Sequence, residues 1–203
     1  MRFAVGYQLY EGEEGEEPFV NVVRDFRDQV AEVYFPWGDL PSGRSPLTSR
    51  QGYTDWGAQQ RQEEDLRVVK AMGIRLDLLF NANCYGGLAL SRHLEAQVAS
   101  VLDHLGAVTG GVDTVTTTSP LVARTVKRHY PGVEVRASVN LRIGTVPGMA
   151  YLADMFDGYY VPRELNRSLD AIVELKAWAD AEGKRLYLLA NSGCLAYCSG
   201  QTF

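Results

Sequence analysis

The chain has 203 residues, of which 46% are hydrophobic and 22% charged, with a formal net charge of -5. That is too much apolar material for a disordered chain and enough for one large core, so a single domain over residues 1–203 is expected. The acidic balance argues against a broad nucleic-acid surface. No apolar run reaches the roughly 18 residues of a membrane helix, and the amino terminus lacks an export signal, which places the expectation in the cytoplasm.

Arg2 to Leu9 reads as a buried strand, followed by an acidic, glycine-broken turn containing Glu11, Glu13, Glu14, Glu16 and Glu17. Pro18 suits the first turn of a helix running to Val33, and Val33 to Gly38 reads as a second strand. Residues 39–53, rich in Gly, Pro and Ser, form a long loop of the kind that often covers or lines a site. Asp55 to Gly73 is a helix with Leu66, Val69 and Met72 on one side, and Leu76 to Phe80 is a strand. Leu94, Val98, Val101, Leu102 and Leu105 mark the apolar face of the next helix.

Val112 to Thr118 is β-branched and strand-like, after which Ser119-Pro120 supplies an N-cap and a first-turn proline for a helix to about Tyr130. A strand from Val133 to Leu141, a short helix from Val146 to Phe156 and a strand from Gly158 to Val161 follow. Ser168 to Gly183 is an amphipathic helix, and Leu186 to Ala190 is the last strand. About seven strands thus alternate with about six helices, and the strands read mostly as continuous apolar runs, which points to a parallel sheet covered by helices. The expected fold is an α/β (β/α)8 TIM-type barrel that is one unit short, either because the chain is truncated at its C-terminus or because the barrel closes irregularly. A doubly wound open parallel sheet is the alternative.

In such a sheet the residues just beyond each strand converge on one face, where active sites lie. The residues there are polar and rich in amides: Asn81, Asn83 and Cys84, then Thr117 and Ser119, Asn140 and Arg142, Arg163, Glu164 and Asn166, and finally Asn191 and Cys194. Asn and Ser also favour turns and helix caps, and the repetition at successive strand ends is what singles them out. Arg163 and Glu164 offer a cation for an anionic substrate group and a carboxylate for acid/base work, or else a local surface ion pair. Asn140 joins them as a catalytic candidate, with Asn81, Asn83, Asn166 and Asn191 as substrate-binding candidates. His93, His104 and His129 fall within helices at no shared ligand spacing and read as surface or packing residues.

Cys194 and Cys198 follow the last strand directly, and paired thiols at a strand end read as soft metal ligands. Cys84 either joins them at the same end or is a small buried hydrophobe. Phosphate loops, the dinucleotide fingerprint, zinc-protease helices and the Gly-x-Ser-x-Gly elbow are missing from the sequence.

The segment Val161-Pro162-Arg163-Glu164-Leu165-Asn166-Arg167-Ser168-Leu169 resembles the Arg-Glu-Leu segment before a helix in the U32, collagenase-like, peptidase family. Asn191-Ser192-Gly193-Cys194-Leu195-Ala196-Tyr197-Cys198 resembles its cysteine segment, and Phe80-Asn81-Ala82-Asn83-Cys84-Tyr85-Gly86 is compatible with it. The resemblance implies a barrel domain whose cysteines, in several members, hold an iron-sulfur cluster together with further cysteines downstream. Members include proteins named as collagenases and others tied to oxygen-independent hydroxylation of quinones or of RNA, so a peptide, quinone or RNA-derived substrate is implied. This chain has Cys-x3-Cys without a Glu-x-Phe-x-x-Gly lead-in and ends before any further cysteine. A cluster is therefore expected in the full-length protein and absent or incomplete in this chain.

Three functions follow as expectations. The first is a U32-like enzyme with a part-built metal site, and the second a peptide hydrolase using Cys194 as a thiolate nucleophile. The third is a noncatalytic module whose amide-rich face holds a ligand or partner. Assembly with itself or with another chain is compatible with each.

Overall fold

A computed structural model describes residues 2–10, 12, 15–38, 40, 42 and 55–190. Seven strands, β1 (Phe3–Gly6), β2 (Val30–Pro36), β3 (Arg75–Phe80), β4 (Thr114–Thr117), β5 (Glu134–Ala137), β6 (Gly158–Tyr160) and β7 (Arg185–Tyr187), form one sheet in sequential order. Every neighbouring pair is parallel. A doubly wound sheet would reverse its strand order and put β1 inside, so the sequential order selects the barrel alternative. The sheet is a curled half-barrel, and β1 and β7 are its two edges among the described residues.

Six helices connect the strands: α1 (Phe19–Asp25), α2 (Trp56–Ala71), α3 (Arg92–Thr109), α4 (Pro120–His129), α5 (Val146–Tyr151) and α6 (Leu169–Ala181). Local chemistry sets their ends. Asp55, Ser91 and Ser119 cap α2, α3 and α4 by accepting from the amides of Ala58, Leu94 and Val122. Gly110 ends α3 in the left-handed conformation, at φ 83°. The first helix is shorter than expected: α1 stops at Asp25, and β2 begins at Val30 rather than Val33.

Alternate residues of each strand face the helices. Val33, Phe35, Leu76, Leu78, Phe80, Val115 and Val135 are fully buried there, against Leu66, Val69, Leu94, Val98, Leu105, Val122 and Val126 from α2, α3 and α4. Burial of each such side chain contributes about 1.5–3 kcal/mol, and this layer is the main source of stability. The opposite set of residues lines the concave face and is polar, which corrects the expectation of mostly continuous apolar runs. Glu32, Asp77, Thr114, Thr116 and Arg136 are all buried there. No described helix is long and apolar enough to cross a membrane.

Candidate functional site at the strand ends and the bore beneath it

The register brings polar residues of four central strands together inside the bore. Asp77 pairs with Thr114, Thr114 with Glu134, and Thr116 with Arg136. Arg136, only 2% exposed, is the hub. It donates to both carboxylate oxygens of Glu32 at 2.6 and 2.9 Å, and to those of Glu134 at 2.9 and 3.2 Å. Its guanidinium lies 4.1 Å from the centre of the Tyr187 ring. Arg75 donates to Glu134 at 2.7 Å, and the Tyr187 hydroxyl donates to the same carboxylate at 2.6 Å.

Burial alone would raise Glu134, but donors from Arg136, Tyr187 and Arg75 outweigh it and hold the carboxyl at about 2. Asp77 moves the other way. Complete burial and the neighbouring Glu32 charge push it up to about 7, against the attraction of Arg136, whose Nη1 is 3.9 Å away. Thr116 donates to its Oδ2 at 2.7 Å, while its buried Oδ1 has no partner among the described residues. The sequence signal for this network was period-two charge inside strands, Arg75/Asp77 and Glu134/Arg136, which reading the strands as apolar runs passed over.

Above the bore, short turns carry the residues expected at the strand ends. Asn140 lies in the 3-10 turn Val139–Leu141 after β5, and Arg163 begins the 3-10 turn Arg163–Leu165 after β6. Asn140 Nδ2 donates to the Asn81 carbonyl at 3.0 Å, tying the ends of β5 and β3. Both Nη atoms of Arg163 reach Asn140 Oδ1 at 3.5 Å. Ser42, which follows β2 in the chain, donates to Asn81 Oδ1 at 2.9 Å. Asn166 Nδ2 donates to the Leu189 carbonyl at 3.0 Å, linking the turn after β6 to the segment after β7. Thus Asn81, Asn140 and Arg163 form one connected group, and Asn166 braces its β7 side.

The close fit of these turns depends on Gly144. A Cβ there would stand 2.9 Å from Leu165 Cδ1 and 3.1 Å from Pro162 Cγ. Arg142, beside it, is the one described non-glycine residue with positive φ, at 55°.

Other expected residues fall elsewhere. Ser119 and Thr117 serve the start of α4: Thr117 Oγ1 accepts from the Ser119 amide at 3.0 Å. Glu164 is exposed and forms no ion pair with a described residue, so the local Arg163–Glu164 pair does not form. Asn83 is exposed on the loop after β3. Cys84 lies on the same loop as an exposed free thiol, its Sγ accepting from the Gly86 amide at 3.3 Å; it is not a buried hydrophobe. Asn191, Cys194 and Cys198 lie outside the described residues. Among the described residues no group of three His, Cys, Asp or Glu side chains could hold a metal, so they do not by themselves fit a cluster. His104 pairs with Glu63 at 2.9 Å and packs on Trp37, in keeping with a surface and packing role.

No protein-family model matches the chain, and no curated protein matches it by sequence. Solved structures do share its architecture. The U32 peptidase Mk0906 superposes with a TM-score of 0.67 at 16% identity, over 93% of this chain and 68% of that one. A proposed dehydratase from Mesorhizobium loti superposes with a TM-score of 0.56 at 13% identity, over 94% of this chain and 48% of that one. At these identities the likeness is one of fold: the chain has the barrel architecture that a U32 peptidase also uses.

Proposed function

We propose that the chain is the barrel of a U32-like enzyme that binds its substrate across the turns at the carboxyl ends of β3, β5 and β6. The observation that carries this reading is the connected group Asn81–Asn140–Arg163, in which a cation without a described counter-charge is held by a fixed amide above the bore. In this reading Arg163 grips an anionic group of the substrate, Asn140 orients Arg163, and the exposed Glu164 carboxylate exchanges protons with the substrate. Asn81, Asn83 and Asn166 line the same rim, and Asn191 is assigned to substrate binding from its place in the sequence. Likeness of fold to a U32 peptidase supports a peptide-type substrate over a quinone or RNA-derived one.

We further assign Cys194, Cys198 and Cys84 to an iron-sulfur site. Such a cluster would supply redox or Lewis-acid chemistry at the rim. The intact gene product, purified without oxygen, should contain iron and acid-labile sulfide and should cleave unstructured peptides. Arg163→Gln should abolish cleavage while leaving the thermal midpoint unchanged. Wild-type cleavage by that variant would remove Arg163 from the site, and an iron-free, colourless protein would remove the cluster.

A further inference from the structure

We propose that the turn after β6 is a receptor for a carboxylate flanked by an N–H donor, the terminal group of a peptide or an acylated amino acid. This names the ligand class of the rim and so rests on the functional reading above. Its basis is a pair of unmet hydrogen-bonding groups of opposite kind. Arg163 Nε is buried with no partner among the described residues, and the two Nη atoms share one distant acceptor at 3.5 Å. Asn166 Oδ1 is likewise buried and without a described partner. Its orientation is set by the Leu189 carbonyl, which only the NH2 side of the amide can satisfy.

These residues are three apart across one 3-10 turn, and side chains at i and i+3 of that geometry eclipse, so the unmet donor and the unmet acceptor share a side. A buried polar group left unmade costs about 1–3 kcal/mol, and a ligand that meets both recovers that cost on binding.

Charge agrees with the hydrogen bonding. The chain is acidic overall, yet the turns after β5 and β6, which meet at Gly144 and Leu165, carry Arg142, Arg163 and Arg167 without an ion pair to a described carboxylate, against Glu164 alone. A planar carboxylate accepts side-on from Nε and one Nη of an arginine, the strongest geometry available to that side chain. Its neighbouring amide N–H then donates to Asn166 Oδ1. Phosphate would answer Arg163 but brings no N–H for Asn166.

The experiment follows Arg Nε–H signals of the intact 15N-labelled protein by NMR during titration with N-acetyl-L-alanine, N-acetyl-L-alaninamide or inorganic phosphate. N-acetyl-L-alanine should move one Arg Nε–H signal saturably to lower field, and that signal should be missing from Arg163→Lys. The alaninamide should bind at least tenfold more weakly, and Asn166→Ala should weaken N-acetyl-L-alanine binding about tenfold. Equal binding of the alaninamide, tighter binding of phosphate, or no movement of the Arg163 signal would each overturn the proposal. If Arg163→Gln is inactive and the carboxylate still gives no response, only the ligand class fails. If Arg163→Gln keeps full activity, the functional reading itself fails.

Discussion

Replacing Arg136 with Met tests whether the bore is held by charge. The thioether keeps most of the side-chain volume but leaves Glu32 and Glu134 facing each other without the four hydrogen bonds of 2.6–3.2 Å that Arg136 supplies. Breaking a buried ion pair by removing one partner typically costs about 3–5 kcal/mol, because a charge is stranded away from water. Glu32 is stranded outright, whereas Glu134 keeps Arg75 and Tyr187, which places the expected loss near the middle of that range, a large share of the roughly 5–15 kcal/mol that stabilises a domain. With a urea slope of about 2 kcal/mol/M, the unfolding midpoint should fall by roughly 2 M, read from tryptophan fluorescence.

The pH dependence separates charge from packing. Glu134 is held at about 2 in the folded wild type, so its contribution is present above its ordinary value of 4.5 and is lost as pH falls toward 2. In Arg136→Met a carboxylate that has lost its counter-charge takes up a proton more readily, so the cost measured at pH 8 should shrink to roughly half by pH 4.5. A loss below about 1 kcal/mol, or an equal loss at both pH values, would refute the charge argument.

Tyr187→Phe keeps the ring over Arg136 but removes the 2.6 Å hydrogen bond to Glu134; a loss of about 1.5–3 kcal/mol is expected, with faster amide exchange in β7. Gly158→Ala should cost more than Gly144→Ala, about 1–3 kcal/mol, in thermal unfolding. A Cβ at 158 meets the Arg185 backbone carbonyl at 3.2 Å and Tyr187 at 2.8 Å, whereas at 144 its nearest contact is the movable tip of Leu165. Asp77→Asn should flatten a decline in stability. The folded carboxyl is raised from 3.8 to about 7, so its contribution is complete below 3.8 and is lost as pH rises through that window. Urea midpoints of variant and wild type should therefore diverge in favour of the variant between pH 4 and 7, and parallel profiles would count against a raised Asp77.

The alternation of strands and helices, the parallel sheet and the capped start of α4 were legible because each rests on local chemistry. Ser119-Pro120 is an N-terminal signal whatever surrounds it, and alternating apolar segments leave few topologies. The strand-end amides were legible as a set, yet only tertiary geometry separates Asn140, which spans from β5 to β3, from Ser119, which caps a helix. The bore network was not legible for a different reason. Glu32 and Arg136 stand 104 residues apart and meet only through sheet register, and a charged residue inside a strand ordinarily reads as solvent-facing.

The bore and the rim are mechanically one unit. β7 is a three-residue strand at the sheet edge with pairing on one side only among the described residues, so apolar packing and ladder bonds fix it weakly. Polar contacts take over that task at both of its ends. Below, Tyr187 and Arg185 donate to Glu134 at 2.6 and 3.2 Å; above, the Leu189 carbonyl accepts from Asn166 at 3.0 Å. Glu134 is locked by Arg136, which is locked by Glu32 on β2, so the position of β7 is referred across the bore to the strand next to the opposite edge. An apolar bore could supply the same volume but not a directional tie at a fixed distance, since hydrophobic contact is non-directional. Loosening Glu134 should therefore reach the rim: Glu134→Gln should increase amide exchange at Asn166 and Leu189 before it lowers the global unfolding midpoint. If exchange there rises only in step with global unfolding, β7 is held by the sheet alone and the bore is a separate structural element.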